Sequence, residues 1–311
     1  MDPNKNKTKE LGFGTNTADN MQRLINHDGS SNVRYAGTPT FTIAEVFHWL
    51  TRLTWTRFLS YVVLLYAVVN FIFALFYYWA GVENIGITPE EPWFDILECF
   101  FFSTQTFTTV GFGKISPTGI ASNIIASIES LLGLLTFALV TGLIYGRFSR
   151  PVAHIVTSEN ILISPYNDIT GLMFRIASKR KRTMLIQNEM DVSLGLNETV
   201  NGRIKRKFYQ LELELKRINF LTLSWTVVHP IDEDSPLYGL TASDLAERKA
   251  EFIVLYSGKE ETTNQTVMEK FSYFHDELVW NAKFEPMVKL EEDGARQLDI
   301  KLISDYLFSE G

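Results

Sequence analysis

Two long apolar segments dominate the pattern of hydrophobic and polar positions in this 311-residue chain. Residues 58–82 contain no charged side chain, and residues 120–145 contain one, Glu129. At about 1.5 Å per helical residue, each segment is long enough to cross a hydrocarbon layer of about 30 Å. The alternative, a buried helix of a soluble core, rarely has an uncharged stretch of this length. The pattern therefore predicts two membrane-spanning helices.

A shorter apolar stretch between these spans predicts a re-entrant element. Pro92 can occupy the first turn of a helix, where its missing N–H costs nothing. Residues 93–107 then form a helix that is too short to cross the bilayer. The partial negative charge at its C-terminal end favours a cation. Irregular backbone at that depth is tolerated only where protein buries it or where it lines a water-filled path.

Before the first span, residues 41–53 have the pattern of an amphipathic helix. The apolar positions near one side of that helix are Phe41, Val46, Trp49, Leu50 and Leu53. Such a helix either lies along the cytoplasmic membrane surface, aromatic side inward, or packs onto a protein core. Its position next to a span favours the membrane surface.

The second half of the chain is a succession of short strand-like runs, several of which alternate apolar and polar positions. The runs are residues 172–177, 211–216, 221–229 and 252–256. Turn residues separate them, and no long helical period interrupts them. This half therefore predicts an all-β sandwich. A composition rich in Lys, Asn and Thr predicts disorder for about the first 20 residues.

Charges around the spans predict an orientation. Basic residues lie at the outer ends of the two-span region, at Arg52, Arg57, Arg147 and Arg150. The stretch that joins the spans begins instead with acidic residues. Because basic residues favour the cytoplasmic side, we predict that both termini are inside and that the 83–119 loop faces out. The start of the chain shows no signal-peptide pattern.

The sequence offers little for catalysis. Its single cysteine, Cys99, cannot form an internal disulfide, which suits a cytoplasmic bulk domain. The five histidines are scattered, and neither a nucleophile–base set nor metal-ligand spacing stands out. We therefore expect no enzymatic activity and no cofactor. A net charge of −7 suits a cation vestibule and argues against a nucleic-acid partner.

The residues that follow the short apolar helix read as a potassium selectivity filter. They are Thr109, Val110, Gly111, Phe112 and Gly113. In such a filter, successive carbonyl oxygens point at one axis and replace the water shell of K⁺. That backbone needs left-handed angles at alternate residues, which glycine adopts without steric cost. A second Gly-Phe-Gly lies in a polar stretch at residues 12–14, so the flanking spans decide the assignment, and one chain supplies a quarter of the site.

This arrangement of span, pore helix, filter and second span resembles a two-span potassium channel. Other segments narrow the resemblance to the prokaryotic inward-rectifier (KirBac) family. These segments are residues 28–33 (DGSSNV), 147–151 (RFSRP), 223–232 (LSWTVVHPID) and 276–280 (DELVW). The likeness covers roughly residues 25–300. It implies a membrane α-helical two-span pore domain and a cytoplasmic all-β immunoglobulin-like sandwich, assembled as a homotetramer in the inner membrane of a bacterium.

The resemblance also divides the chain into segments. These are an N-terminal cytoplasmic segment (1–38), an interfacial slide helix (39–54), the transmembrane pore domain (55–150), the β-sandwich domain (151–303) and a C-terminal tail (304–311). K⁺ is then the permeant ion, bound at residues 109–112. A poorly selective cation channel of the same architecture is one alternative, and a membrane-anchored binding or enzymatic β-domain is another.

Three side chains recur at four-residue intervals in the second span: Phe137, Thr141 and Tyr145. They either face the conduction path or pack between helices. The resemblance places Tyr145 where a bulky side chain constricts the inner-helix crossing, so we predict a gate there. Gly133 and Gly142 either permit a bend in this helix or let neighbouring helices pack closely.

Glu129 is a functional candidate because carboxylates within a membrane span are rare and usually functional. It lies sixteen residues before Tyr145, or about 160° away around a straight helix, so the two cannot face one axis. Glu129 either supports the back of the pore helix and filter, hydrogen-bonded or protonated, or contacts the ion directly, and we favour the structural role. Gln105 and Ile115 stand where many eukaryotic relatives have a Glu–Arg pair, which predicts a different filter support.

Arg147 and Arg150 match positions that bind phosphoinositide headgroups in eukaryotic relatives. Basic groups just inside the membrane attract anionic phospholipids by about 1 kcal/mol each. The same two residues also fit the ordinary positive-inside pattern. The resemblance therefore implies that anionic lipids modulate the channel, but it does not imply whether they activate or inhibit it.

Two further features of the resemblance concern the cytoplasmic ion path. The turn 258–265 matches the G-loop constriction, although it also fits a plain hairpin, and its candidate residues are Gly258, Lys259, Asn264 and Gln265. Phe137 occupies the position at which strong rectifiers carry an acid, and Asn201 and Ser257 replace cytoplasmic pore acids. We therefore predict weak block by polyamines or magnesium.

Overall fold

The computed structural model of the chain describes residues 23–32, 42–149, 153–179, 184–200 and 202–308. The chain divides into two units, residues 37–150 and residues 1–36 together with 151–311. Phe41 and Arg150, as well as the predicted disordered start, lie outside the described residues.

The first unit is helical. Its helices are α1 (Ile43–Arg52), α2 (Trp55–Ala80), α3 (Pro92–Phe107) and α4 (Ile120–Phe148). Both α2 and α4 are long and apolar enough to cross a membrane, and most of their surface is exposed in a single chain. The two predicted spans are therefore confirmed, although α4 continues three residues beyond the predicted Tyr145.

Aromatic side chains mark both ends of the helical unit. Trp79 at the end of α2 is 91% exposed, and Trp93 at the start of α3 is also exposed. Trp55 begins α2 at its other end. Tryptophan is enriched at both membrane–water interfaces, so these positions fit a bilayer around α2.

The short helix α3 packs against α2 through an apolar core. Phe73 and Tyr77 of α2 and Cys99 and Phe102 of α3 are buried in it. Pro92 occupies the first turn of α3, as its fixed backbone angle favours. The predicted short helix between the spans is therefore present.

The second unit consists of strands. They are β1 (Ile155–Thr157), β2 (Ile161–Tyr166), β3 (Ile169–Ser178), β4 (Leu185–Val200), β5 (Arg203–Leu211), β6 (Arg217–Leu221), β7 (Ser224–Ile231), β8 (Glu251–Glu260), β9 (Thr266–Phe274), β10 (Leu278–Trp280), β11 (Ala282–Phe284), β12 (Val288–Leu290), β13 (Arg296–Leu298) and β14 (Tyr306–Phe308). A short helix, α5 (Ala242–Glu247), precedes β8.

Two five-stranded sheets enclose the main core of this unit. One has the order β1-β3-β2-β10 with β7 beside β3, and the other has the order β5-β4-β8-β9 with β6 beside β4. Alternate residues of both sheets point into one hydrophobic cluster, for example Phe174, Phe252 and Phe271. The predicted all-β sandwich is therefore confirmed.

The predicted strand runs succeed only in part. Residues 172–177 and 252–256 lie within β3 and β8, but the run 211–216 is wrong because β5 ends at Leu211 and β6 begins at Arg217. Between them the backbone pairs elsewhere, since the N–H of Glu214 donates to the carbonyl of Val228 at 2.9 Å. The run 221–229 is divided, because Leu221 ends β6 and β7 begins at Ser224.

The longest strand, β4, was not predicted. Its register shifts between Ile186 and Glu189, where Gln187 has a left-handed φ of 49°, and such a bulge breaks the alternation that sequence patterns depend on. Strand β14 lies in the predicted tail, after residue 303, and pairs with β11 in a separate two-stranded sheet.

Candidate functional site

The segment after α3 has left-handed backbone at alternate residues. The φ angles are 60° at Thr109, 53° at Gly111 and 82° at Gly113. This is the alternation that a ring of inward carbonyls requires. It includes Thr109, for which the sequence did not predict a left-handed angle, because a β-branched residue with positive φ is a conformational outlier. Such strain persists only where the surrounding structure imposes it.

The carbonyl of Gln105 holds the beginning of this segment. It accepts the N–H of Val110 at 2.9 Å and the N–H of Gly111 at 3.4 Å. The N–H of Thr109 also donates to the carbonyl of Thr106, at 3.0 Å. Residue 105 therefore contacts the segment through its main chain, so the identity of its side chain is not what forms these bonds.

Glu129 is fully buried on the side of α4 that faces α2 and α3. The hydroxyl of Tyr77 donates to its Oε2 at 2.6 Å, and the hydroxyl of Ser103 donates to its Oε1. Ser103 also lies 3.1 Å from Oδ1 of Asn70. Through this carboxylate, α4 is linked to both α2 and α3.

The same side of α4 lies close to α3 at Gly133. A Cβ atom there would lie 2.0 Å from the carbonyl oxygen of Phe107. Close packing therefore explains this glycine, and a bend is not needed to account for it. A Cβ at Gly142 would meet nothing within 4 Å in one chain, so its role as a hinge stays a prediction.

Further along α4, the predicted pore-facing side chains are exposed in a single chain. Phe137 and Tyr145 are each 73% exposed in the single chain, and Thr141 is also exposed. Phe137 and Thr109 line one groove of about 610 Å³, together with Tyr66 of α2. The structure thus places these two candidate pore residues near each other and leaves Tyr145 outside that groove.

Arg147 near the end of α4 binds the C-terminal end of α1. Its Nη1 donates to the carbonyl of Leu50 at 2.7 Å, and its Nη2 donates to the carbonyl of Leu53 at 2.6 Å. The guanidinium also lies 4.7 Å from the ring centres of both Trp55 and Phe58. Sequence reasoning missed this contact, for which the only signal was that the last carbonyls of any helix need donors.

The predicted G-loop turn is shorter than expected. Gly258 and Lys259 belong to strand β8, which continues to Glu260, so the turn comprises residues 261–265. Asn264 adopts a left-handed φ of 52°, and its N–H donates to the carbonyl of Glu260 at 2.8 Å. Asn264 and Gln265 therefore lie in the β8–β9 turn, whereas Gly258 and Lys259 do not.

A buried ion pair in the β-sandwich was also missed by the sequence reasoning. Arg206 and Glu251 are 1% and 0% exposed, and Nη2 lies 2.8 Å from Oε2. Burial lowers the pKa of the Arg206 guanidinium, and the carboxylate opposes this shift. The Oε1 atom of Glu251 accepts the N–H groups of Leu24 and Ile25 at 2.8 and 3.0 Å, so the pair fixes the N-terminal segment to this unit.

Within the described ranges, no group of three His, Cys, Asp or Glu side chains is placed to hold a metal ion. The arrangement instead offers a backbone segment with left-handed angles after α3, the helix to which the buried carboxylate of Glu129 is bonded. The carbonyl oxygens of such a segment are of the type that can serve as ligands for a cation.

Comparisons with known proteins cover both units. A family model described as "Inward rectifier potassium channel C-terminal domain" matches residues 155–307, and one described as "Ion channel" matches residues 62–150. Inward rectifier potassium channel Kirbac3.1 of Paramagnetospirillum magnetotacticum is 36% identical over 89% of this chain and 93% of that protein.

More distant relatives are animal channels. G protein-activated inward rectifier potassium channel 1 of Bos taurus is 27% identical over 87% of this chain and 58% of that protein. ATP-sensitive inward rectifier potassium channel 15 of Homo sapiens is 25% identical over 88% of this chain and 79% of that protein.

Proposed function

The chain belongs to the inward-rectifier potassium channel family, and from that premise we propose that it conducts K⁺ passively through a homotetrameric pore with residues 109–113 as its filter. The observation that carries this proposal is the left-handed backbone at Thr109, Gly111 and Gly113 directly after a short helix between two spans. Oxygens of residues 109–112 from four chains then bind the dehydrated ion. This family is one of ion channels, not of enzymes.

A flux assay separates this proposal from its runner-up, a poorly selective cation channel of the same architecture. Liposomes that contain the purified tetramer and are loaded with K⁺ should take up external Rb⁺, which resembles K⁺ in size, as K⁺ leaves. External K⁺ should compete with this uptake, and external Na⁺ should not. Equal competition by Na⁺ would favour the poorly selective channel.

We place the principal gate at Tyr145, where four copies of α4 would approach one another. Its large exposure in one chain leaves it available to partner chains or to the conduction path. Phe137 and Thr141 line the same path nearer the filter in this proposal. The turn between β8 and β9, with Asn264 and Gln265, forms a second constriction on the cytoplasmic side.

Anionic phospholipids or phosphoinositides modulate this gate in our proposal, through Arg147 and Arg150. Each terminal nitrogen of Arg147 makes one bond, to the carbonyl of Leu50 in α1 or of Leu53 just after it, and carries a second N–H that can donate to a phosphate oxygen. A headgroup there would act on the end of α1 and on α4 together. The channel would lie in the cell membrane of a bacterium, with both termini in the cytoplasm and no nucleic-acid partner.

Block by spermine should be weak, with no inhibition at submicromolar concentrations in voltage-clamped bilayers. Phe137 supplies no acid within the membrane. In the sandwich, Ser257 pairs with Glu189 across β4 and β8, but Arg217 lies 3.1 Å and Lys216 3.6 Å from that carboxylate. These cations reduce the field that a polyamine would feel. Strong voltage-dependent block at submicromolar spermine would contradict the prediction.

A further inference from the structure

We propose that the main-chain carbonyl of Asn84 is the anchor that positions the outer end of the filter. This oxygen accepts the N–H of Thr118 at 2.8 Å and the hydroxyl of Thr118 at 3.1 Å. The hydroxyl of Ser122 lies 2.8 Å from the same oxygen and 2.9 Å from the carbonyl oxygen of Gly119, so the two acceptors share its hydrogen. The N–H of Gly119 lies 3.4 Å from it. The carbonyl oxygen of Asn84 is thus a common acceptor for the last residues before α4 and for the first turn of α4.

Asn84 is itself fixed to the end of α2. It lies in a 3₁₀ turn, Val82–Ile85, and its N–H donates to the carbonyl of Gly81 at 3.0 Å. Its side-chain Nδ2 donates to the carbonyl of Ala80 at 2.7 Å, which satisfies one of the free carbonyls at the end of α2. The acceptor therefore has little freedom to move relative to the outer helix.

Residues 114–119, here called the exit strap, join the filter to α4. The N–H of Ser116 donates to the carbonyl of Ile85 at 3.2 Å. The side chain of Ile115 is half-buried against the apolar core of α2, α3 and the 3₁₀ turn. The strap is thus attached to the 3₁₀ turn at Ser116 and Thr118 through hydrogen bonds and at Ile115 through apolar contact.

The exit strap matters because the filter is held differently at its two ends. The carbonyl of Gln105 fixes the beginning, through Val110 and Gly111. The other end, Gly113, lies three residues before Ser116, so the attachment of the strap limits where the last carbonyls stand. Discrimination between K⁺ and smaller cations depends on the positions and field of those oxygens. This inference rests on the proposed filter, and it assigns to Asn84, Thr118 and Ser122 the role of positioning residues.

The hydroxyl donors can be removed while the acceptor is kept. In the full-length tetramer, Thr118→Val together with Ser122→Ala removes two of the bonds to the Asn84 carbonyl and leaves the N–H bond of Thr118. Ser127→Ala is the matched control, because the Ser127 hydroxyl donates within α4 only, to the carbonyl of Asn123 at 2.8 Å. The Thr118→Val single variant provides a milder test, because Thr118 is exposed.

We expect the double variant to assemble and to lower the ratio of Rb⁺ to Na⁺ flux by about fivefold, which corresponds to about 1 kcal/mol at 25 °C. The second measurement is the temperature at which the tetramer dissociates, in K⁺ and in Na⁺. Ion binding to the folded filter stabilises the tetramer by mass action. The K⁺-specific increase in this temperature should shrink in the double variant and persist in Ser127→Ala.

Two outcomes would overturn the inference. One is an unchanged flux ratio and an unchanged K⁺-specific stabilisation in the double variant. The other, should the double variant not assemble, is wild-type behaviour of Thr118→Val in both measurements. Failure of the wild-type protein to distinguish Rb⁺ from Na⁺ would instead contradict the proposed filter, so the two failures are distinguishable.

Discussion

Replacing Gly111 by alanine is expected to abolish Rb⁺ flux while the tetramer still assembles. Gly111 has φ of 53°, and an added Cβ would meet nothing within 4 Å in its own chain. The effect therefore comes from the backbone, because left-handed angles cost an L-residue with a Cβ about 1–2 kcal/mol. Four such residues around one axis shift the carbonyls away from the ion. Flux into liposomes and size-exclusion chromatography measure the two parts of this prediction.

A matched control for this substitution exists in the cytoplasmic unit. Gly239 also has a left-handed φ, of 73°, and open space around an added Cβ. Gly239→Ala should therefore carry a similar backbone cost and leave flux intact. Wild-type flux in Gly111→Ala would refute the assignment of residues 109–113 as the filter.

Replacing Glu129 by leucine should lower both the stability of the tetramer and the flux through it. The hydroxyl of Tyr77 would lose its buried acceptor, and a buried group left unsatisfied costs about 1–3 kcal/mol. The hydroxyl of Ser103 would keep only Oδ1 of Asn70, at 3.1 Å, as an acceptor. The helix behind the filter would then lose its link to α4. Thermal dissociation of the purified tetramer and Rb⁺ flux provide the measurements.

Glu129→Gln is the conservative comparison, because its amide oxygen can accept one of the two hydroxyls. We expect it to retain more of the stability and flux than Glu129→Leu. If the leucine variant dissociates at the wild-type temperature and conducts normally, Glu129 does not support the pore helix.

The elements that sequence patterns predicted well are those set by composition over many residues. Segments 58–82 and 120–145 correspond to α2 and α4 because an uncharged stretch of membrane length has few other stable forms. Gly111 and Gly113 were identifiable because the chemistry of a filter demands the angles that glycine adopts. Helical geometry alone predicted that the side chains of Glu129 and Tyr145 point in different directions.

Contacts that depend on side-chain reach or on main-chain carbonyls were beyond such patterns. Nothing in the sequence marks the carbonyl of Asn84 as an acceptor, since every residue has one. The bond from Arg147 to Leu50 joins residues 97 positions apart, and the Arg206–Glu251 pair requires knowledge of which strands are neighbours. The run 211–216 failed for a related reason, because its alternation belongs to a segment that leaves the sheet.

The most direct test of the central claim is the reversal potential of a bilayer that contains the purified wild-type tetramer, with K⁺ on one side and Na⁺ at equal concentration on the other. A potassium-selective filter at residues 109–113 predicts a large reversal potential. The side that contains K⁺ should be negative, because only that voltage stops the net flow of K⁺ to the other side. Reversal near zero, which requires similar permeability for the two ions, would contradict the account.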